Sequence, residues 1–337
     1  MIDWGRSYSA EWRVYRVNRQ TWADSEIVDN VDSLSLSRTA DGSLLESGTI
    51  NVTGDFEPDY YRIVMIATQG GEIERVNVTT LLFDLSDGDS NYGVTTSSFD
   101  GFSVLYPAAV KAITIGEYTP AGSDGAIYAR DLLRTAINAP IEIEGSFTVN
   151  DNIVHELGSS VLDCVWNILN AGNFILKVDG YGTVHIMPMP TQPSLVINNS
   201  NANMLENEIR NTYDMSEIPN RYVVIDEDIV TVAVNDDPNS PISTVSRGYN
   251  VDIIDTTPTL VNGETYSEYA NRMLHKASIL KEEKSYLREY APDVYPYSIV
   301  RASLIELNGD LRVQSQSINC DNGITVSERS FKETNLW

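Results

Sequence analysis

Three histidines, two cysteines and a large surplus of carboxylates are the groups in this 337-residue chain with which covalent or metal chemistry would have to be done. His155-Glu156 opens like the zinc motif HExxH, in which two imidazoles one helical turn apart hold the metal and the glutamate serves as base. The position of the second imidazole is Ser159, so that site fails, and His185 and His275 stand at no metal-ligand spacing. Gly101-Phe102-Ser103 begins a hydrolase nucleophile elbow, but Val104-Leu105 follow where the second glycine is needed to turn the chain sharply. Gly180-Tyr181-Gly182 begins a phosphate-binding GxGxxG, yet His185 replaces its last glycine. The residues after it read as a strand, so no helix N-terminus is offered to a phosphate, and a hairpin turn is the reading. No Walker A sequence occurs. Asp84, Asp87 and Asp89 suggest a calcium loop, but taking Gly88 as its turn glycine puts Phe83 at the first ligand position, between strands rather than helices. A solvated turn explains them. Glu142 and Glu144, two apart on a strand, share a face as paired glycosidase carboxylates would. A chain with 48 acidic residues offers such pairs by chance. No catalytic, cofactor-binding or metal-binding residue is assigned, and no enzymatic activity is expected.

The charge narrows the classes further. With 23 basic residues against those 48, the formal net charge is −25. That balance argues against a surface that grips nucleic acid by neutralising phosphates, and binding to anionic membrane is disfavoured. No stretch approaches the ~20 apolar residues of a spanning helix, and the Met1-Ile2-Asp3-Trp4 start carries no secretory signal, which disfavours a secreted adhesin. Cys164 and Cys320 lie far apart without a CxxC, as expected of two reduced, buried thiols. Tyrosine outnumbers phenylalanine 18 to 7, and Tyr60, Tyr61, Tyr295 and Tyr297 are candidate contact residues, with half-buried strand-end tyrosines as the alternative.

The elements that would position these groups fall into three regions: β-rich over 1–117, α+β over 118–192, and β-rich again over 193–337. In the first, alternating segments such as Glu11–Val17, Ser33–Ser37 and Thr49–Thr53 are separated by turn clusters at Ala40–Ser43, Gln69–Gly71 and Ser86–Asp89. That pattern predicts an antiparallel sandwich or barrel. In the second, Ser123-Asp124 caps a helix with apolar Ile127, Leu132, Leu133, Ala136 and Ile137, ended by Pro140. A further helix starts at Ser159 or Ser160, carries the stripe Val161, Leu162, Val165, Ile168 and Leu169, and stops at Gly172. Phe174–Val178 and Thr183–Met187 then flank Asp179-Gly180-Tyr181-Gly182 as a hairpin. In the third, Arg221–Ile225 and Val230–Val234 are joined by Asp226-Glu227-Asp228. A helix is expected over about 265–287, followed by closing strands around Leu311–Val313 and Ile324–Val326.

The segment Leu157–Gly182, a Gly/Ser-capped helix carrying Trp166, a glycine stop, an apolar strand, Asp-Gly and a second strand, resembles the helix-plus-hairpin module of phage tail baseplate hub proteins. That group includes the late control protein D family and the N-terminal part of tail-associated lysins. Ser216–Asn220 leading into Arg221–Val224 resembles the entry to the family's second barrel, and Tyr269–Leu274 followed by Ala291-Pro292-Asp293 resembles its inserted helix and return to the sheet. The resemblance implies a β-rich α+β fold with two barrel-like β domains, a small α+β domain between them and a helix inserted in the second. It also implies a homotrimeric ring at the tail tip that adapts a six-fold tube to a three-fold tip and lets DNA pass without binding it. The implied neighbours are the tail tube or distal tail protein, the tape-measure protein, and a spike or fibre. The implied place is the virion, after synthesis in the host cytoplasm, with no cofactor and no membrane anchor. Because the chain ends at Trp337, a lysin domain is expected to be absent or on another polypeptide. A carbohydrate-binding or carbohydrate-active β-rich protein is the alternative.

Overall fold

In a computed structural model, all residues are described except 1, 5, 7, 41, 92–93, 202–204, 257, 259–263 and 321–324. The chain divides into two units, Met1–Glu208 with Tyr286–Arg329, and Ile209–Ser285 with Ser330–Trp337.

The first unit begins with seven strands: β1 (Ser9–Val17), β2 (Asp24–Val28), β3 (Val31–Thr39), β4 (Glu46–Thr53), β5 (Asp59–Gln69), β6 (Glu72–Asn91) and β7 (Val94–Ser103). They pair antiparallel in the order β3-β4-β7-β6-β5-β1-β2, and the two ends, β3 and β2, do not pair with each other. One face buries Val14, Leu34, Leu36, Ile50, Val52, Ile63, Met65, Phe83 and Phe99. The predicted turn at Ser86–Asp89 is corrected. It lies inside β6, where Asp87, Gly88 and Asp89 pair with Ser98, Ser97 and Thr96 of β7 after a bulge at Leu85/Asp87. The ladder supplies partners for the backbone that a local Asp-Gly signal would otherwise bend, so pairing overrides turn propensity.

Next come α1 (Tyr106–Val110), β8 (Glu117–Thr119), α2 (Gly125–Leu133), β9 (Ile141–Ile143), β10 (Ile153–His155), α3 (Val161–Ala171), β11 (Phe174–Val178) and β12 (Val184–Pro188). Asp124 caps α2 by accepting from the amides of Ala126 and Ile127, although Ile127 itself points to solvent. Ser160 caps α3, and its whole predicted stripe is buried. The predicted hairpin forms, and β9 joins β12 in parallel, making the order β11-β12-β9. Both helices and this sheet share a core with Val17, Trp22, Leu45 and Tyr60 of the strand region.

The remaining elements are β13 (Pro193–Ile197), β14 (Leu205–Thr212), β15 (Arg221–Asp226), β16 (Ile229–Val234), α4 (Thr244–Arg247), β17 (Asp252–Asp255), α5 (Tyr266–Ala277), β18 (Ile279–Glu289), β19 (Ile299–Ser303), β20 (Asn308–Asn319) and β21 (Thr325–Asn335). The helix expected to reach 287 ends ten residues earlier, and Ile279–Glu289 is a strand. Its burial alternates, with Lys284, Tyr286 and Arg288 inward; Tyr286 and Arg288 find Glu328 of β21, and Lys284 pairs with Glu282 of its own strand. β19 was not foreseen and pairs in parallel with β13 and antiparallel with β20. The chain adopts the expected β-rich α+β class, and no closed barrel is detected among the described residues.

Candidate assembly interface

The groups singled out for chemistry scatter. Ser103 is fully buried and its hydroxyl receives the Leu105 amide. His155 is buried with Nε2 2.9 Å from Thr119 Oγ1, and His275 stacks on Trp337 at 3.8 Å. Cys164 and Cys320 are buried thiols that form no disulfide with each other, as expected. Asp84 is exposed on β6, while the side chains of Asp87 and Asp89 lie outside the described residues. Among the described residues no group of His, Cys, Asp and Glu is arranged to hold a metal ion, and no helix is long and apolar enough to cross a membrane.

Two of the expectations meet at one place. Glu142 and Glu144 do share a side of β9, and the parallel neighbour β12 brings His185 between them. Imidazole Nδ1 lies 2.7 Å from Glu144 and 3.8 Å from Glu142, while Nε2 lies 3.1 Å from Asp179 of the hairpin turn. The bond to Asp179, then that to Glu144, raises the His185 pKa against the opposing effect of burial. Burial would lift the Asp179 carboxyl, but His185 and the Thr183 amide hold it below its usual range. What this cluster does is clamp the turn. Its contribution to stability is complete between about pH 4 and 6.5. It declines as pH rises through the raised imidazole pKa, and again as pH falls through the lowered carboxyl pKa. The stability lost on His185→Gln should therefore be largest in that window and shrink above it, as thermal unfolding across a pH series will show. A loss independent of pH would mean that the folded imidazole is uncharged.

Of the two readings open for Tyr60, Tyr61, Tyr295 and Tyr297, contact residues or half-buried strand-end tyrosines, the structure follows the second, with three of them buried outright. Tyr60, Tyr61 and Tyr295 are 3–6% exposed, and half-buried Tyr297 donates to the Ala40 carbonyl at 2.8 Å. Their rings fill the interior: Trp22 packs on Tyr60, Phe56 stacks on Tyr61, and the Arg38 guanidinium lies 4.5 Å over Tyr295.

The apolar surface left open is mostly aliphatic, with Tyr118, Tyr213 and Tyr249 the most exposed tyrosines among the described residues. In the second unit, β16-β15-β17 form a three-stranded sheet. Tyr222, Val224 and Ala233 face α5 and pack on Tyr269, Ala270 and Leu274. The helix is started by a Thr265/Glu268 capping box, and both Tyr222 and Tyr269 donate to Asp255, at 2.9 and 2.7 Å. On the opposite face, alternation and register gather Val223, Ile225, Val230, Val232, Val234 and Ile254. Val230 and Ile254 are each 63% exposed. At the rim Arg221 pairs with Asp252 at 3.5 Å, so the charge beside this face is balanced. A smaller patch lies in the first unit, where Tyr118 of β8 and Val154 of β10 are cross-strand partners, both exposed, with Ile115 and Leu157 exposed nearby in the chain. The sequence carried a signal for the larger face: Ile229–Val234 is apolar at both parities apart from Thr231, which suits a strand covered on both sides.

Neither a family model nor a curated protein matches the sequence. Solved structures do match. A tail protein from Neisseria meningitidis superposes with a TM-score of 0.66 at 12% identity, over 96% of this chain and 97% of that one. The 43 kDa tail protein of prophage MuSo2 from Shewanella oneidensis gives 0.63 at 12% identity, over 96% and 98%. A chain of the Francisella PdpA-VgrG complex gives 0.58 at 8% identity, over 97% of this chain and 58% of that one. The chain therefore has the fold of these tail proteins along nearly its whole length.

Proposed function

We propose that this protein is a structural, non-catalytic hub at the tip of a phage tail or a related injection particle. The carrying observation is the correspondence with a tail protein over 96% of this chain and 97% of the other. In this reading three copies close into a ring, the β-rich regions 1–117 and 193–337 act as its barrel-like arcs, and 118–192 is the α+β part between them. The ring meets the tail tube or distal tail protein on one side and a spike or fibre on the other. Tape-measure protein, then DNA, leave through it. Two observations support a ring. A closed heterologous ring needs two different complementary surfaces on each copy, and two different aliphatic patches are exposed, Val230/Val232/Val234/Ile254 and Tyr118/Val154. The net charge of −25 also suits a passage whose wall must not hold phosphate. With a screening length of about 8 Å only carboxylates facing a narrow channel repel it, and Asp226–Asp228 is a candidate.

Particle images and light scattering test this. The wild type should occupy a three-fold ring at the tail tip, and Val230→Lys with Val232→Lys should abolish its incorporation while the isolated chain stays folded, since both side chains are exposed. A stable two-fold dimer retained in the particle, or normal incorporation of the double variant, would overturn it.

A further inference from the structure

Two backbone edges in the first unit lack a neighbouring strand among the described residues. β2 covers β1 only from Val14 to Val17, which leaves Glu11–Arg13 paired with β5 alone. β20 covers β3 only from Ser35 to Thr39, which leaves Val31, Ser33 and Leu34 paired with β4 alone and Asp32 at a bulge between them. Both stretches line one cleft of about 490 Å³. Consecutive residues line it, Glu11 to Val14 and Val31 to Leu34. Side chains alternate across a strand, so a cavity lined by both parities runs along strand edges rather than over one face.

The cleft has a polarity. Its inner part is apolar, with Val14 and Leu34 buried and Trp12 packed against the same core. The Trp12 indole Nε1 is buried and makes no hydrogen bond among the described residues. Its rim is acidic: the charged lining residues are Glu11, Asp29, Asp32 and Arg13, and the one guanidinium is already 3.2 Å from Glu11. Asp29 is exposed, and exposed Asp32 accepts the Thr53 hydroxyl at 2.6 Å.

We propose that this cleft docks an extended peptide segment of a partner protein, alternating apolar and basic residues, which adds as a strand between β1 and β3. Unpaired edge N–H and C=O groups supply the main-chain recognition. Alternation sends every second side chain inward to Trp12, Val14 and Leu34 and the others outward to the carboxylates. Four residues at about 3.3 Å each match the length of the open β3 edge. The inference is independent of the ring and holds whether or not the chain assembles.

The test uses the full chain and the blocked octapeptide (Lys-Val)₄, with (Glu-Val)₄ and the scrambled Lys₄Val₄ as controls. Amide hydrogen exchange should show new protection at Glu11–Arg13 and Val31–Leu34 with (Lys-Val)₄ only, accompanied by a change in tryptophan emission. Asp29→Lys with Asp32→Lys should weaken binding about tenfold. Equal binding of the acidic or scrambled peptide would overturn the proposal, as would protection outside these strands. So would edges already protected in the free protein, which would mean that the chain itself or a second copy fills them.

Discussion

Arg288→Met is expected to cost about 3–5 kcal/mol, because it strands a carboxylate in the interior. Arg288 and Glu328 have side chains 0% exposed, with guanidinium nitrogens 2.6 and 3.0 Å from Glu328 Oε2. Gln316 donates to the same oxygen at 2.8 Å, and the Tyr286 hydroxyl to the other. Removing the cation leaves neutral donors such as Gln316 and Tyr286 facing a full negative charge in the interior. Glu328→Leu should be damaging for the reverse reason, an unpaired buried guanidinium. In the double variant both charges are gone, and the groups that lose a partner, Gln316, Tyr286 and the Glu289 carbonyl among them, are neutral, at about 1–3 kcal/mol each. The double variant should therefore lose much less than the sum of the singles, a coupling readable from denaturant midpoints. Additive losses, or a single loss below about 1 kcal/mol, would show that the pair is solvated in the folded protein.

The second large effect is expected from one methyl group. Gly180→Ala would place its Cβ 1.8 Å from the Asn77 carbonyl oxygen of β6. The obstacle is backbone within a paired strand, so it cannot rotate away. The turn is held against it from several directions: Thr80 donates to the Gly180 carbonyl at 3.1 Å, and Trp22 Nε1 and Arg62 donate to the Tyr181 carbonyl at 2.8 and 3.1 Å. The Arg62 guanidinium also lies 3.9 Å over the Tyr181 ring. Overpacking of this kind costs typically 1–3 kcal/mol, and the rigid neighbour puts this case at about 3 kcal/mol or more. Gly116→Ala is the control, since nothing lies within 4 Å of its added Cβ. The variant should raise hydrogen exchange at β11 and β12 and alter Trp22 emission. A variant as stable as the control would mean that the turn does not dock on β6.

Asp179-Gly180-Tyr181-Gly182 illustrates how far the sequence reached. Its glycines and flanking apolar runs announced a hairpin, and local chemistry was enough, since a turn and its two strands depend on neighbours a few residues away. The α3 helix was legible for the same reason, with cap, stripe and stop all within thirteen residues. So was the failure of each catalytic motif, because spacing alone decides it. The sequence also determined the β-rich α+β class, through the texture of short strands and glycine-aspartate turns.

Contacts between residues far apart in the chain were settled only by the tertiary structure. Ser86–Asp89 looked like a turn until β7 lay beside it. The helix was expected to run on to about 287 because apolar spacing continues to Leu280, but Tyr286 and Arg288 point inward along a strand to a buried partner, Glu328, some 40 residues on. The tyrosines carried no sign of which would be interior, whereas the open aliphatic face of β16, β15 and β17 arises from three strands meeting edge to edge. Alternation says which residues share a side of a strand; only the packing of α5 on one side says which side is left bare. The same reason explains the cleft between β1 and β3: an unpaired edge is a property of where neighbouring strands stop, and no single segment encodes it.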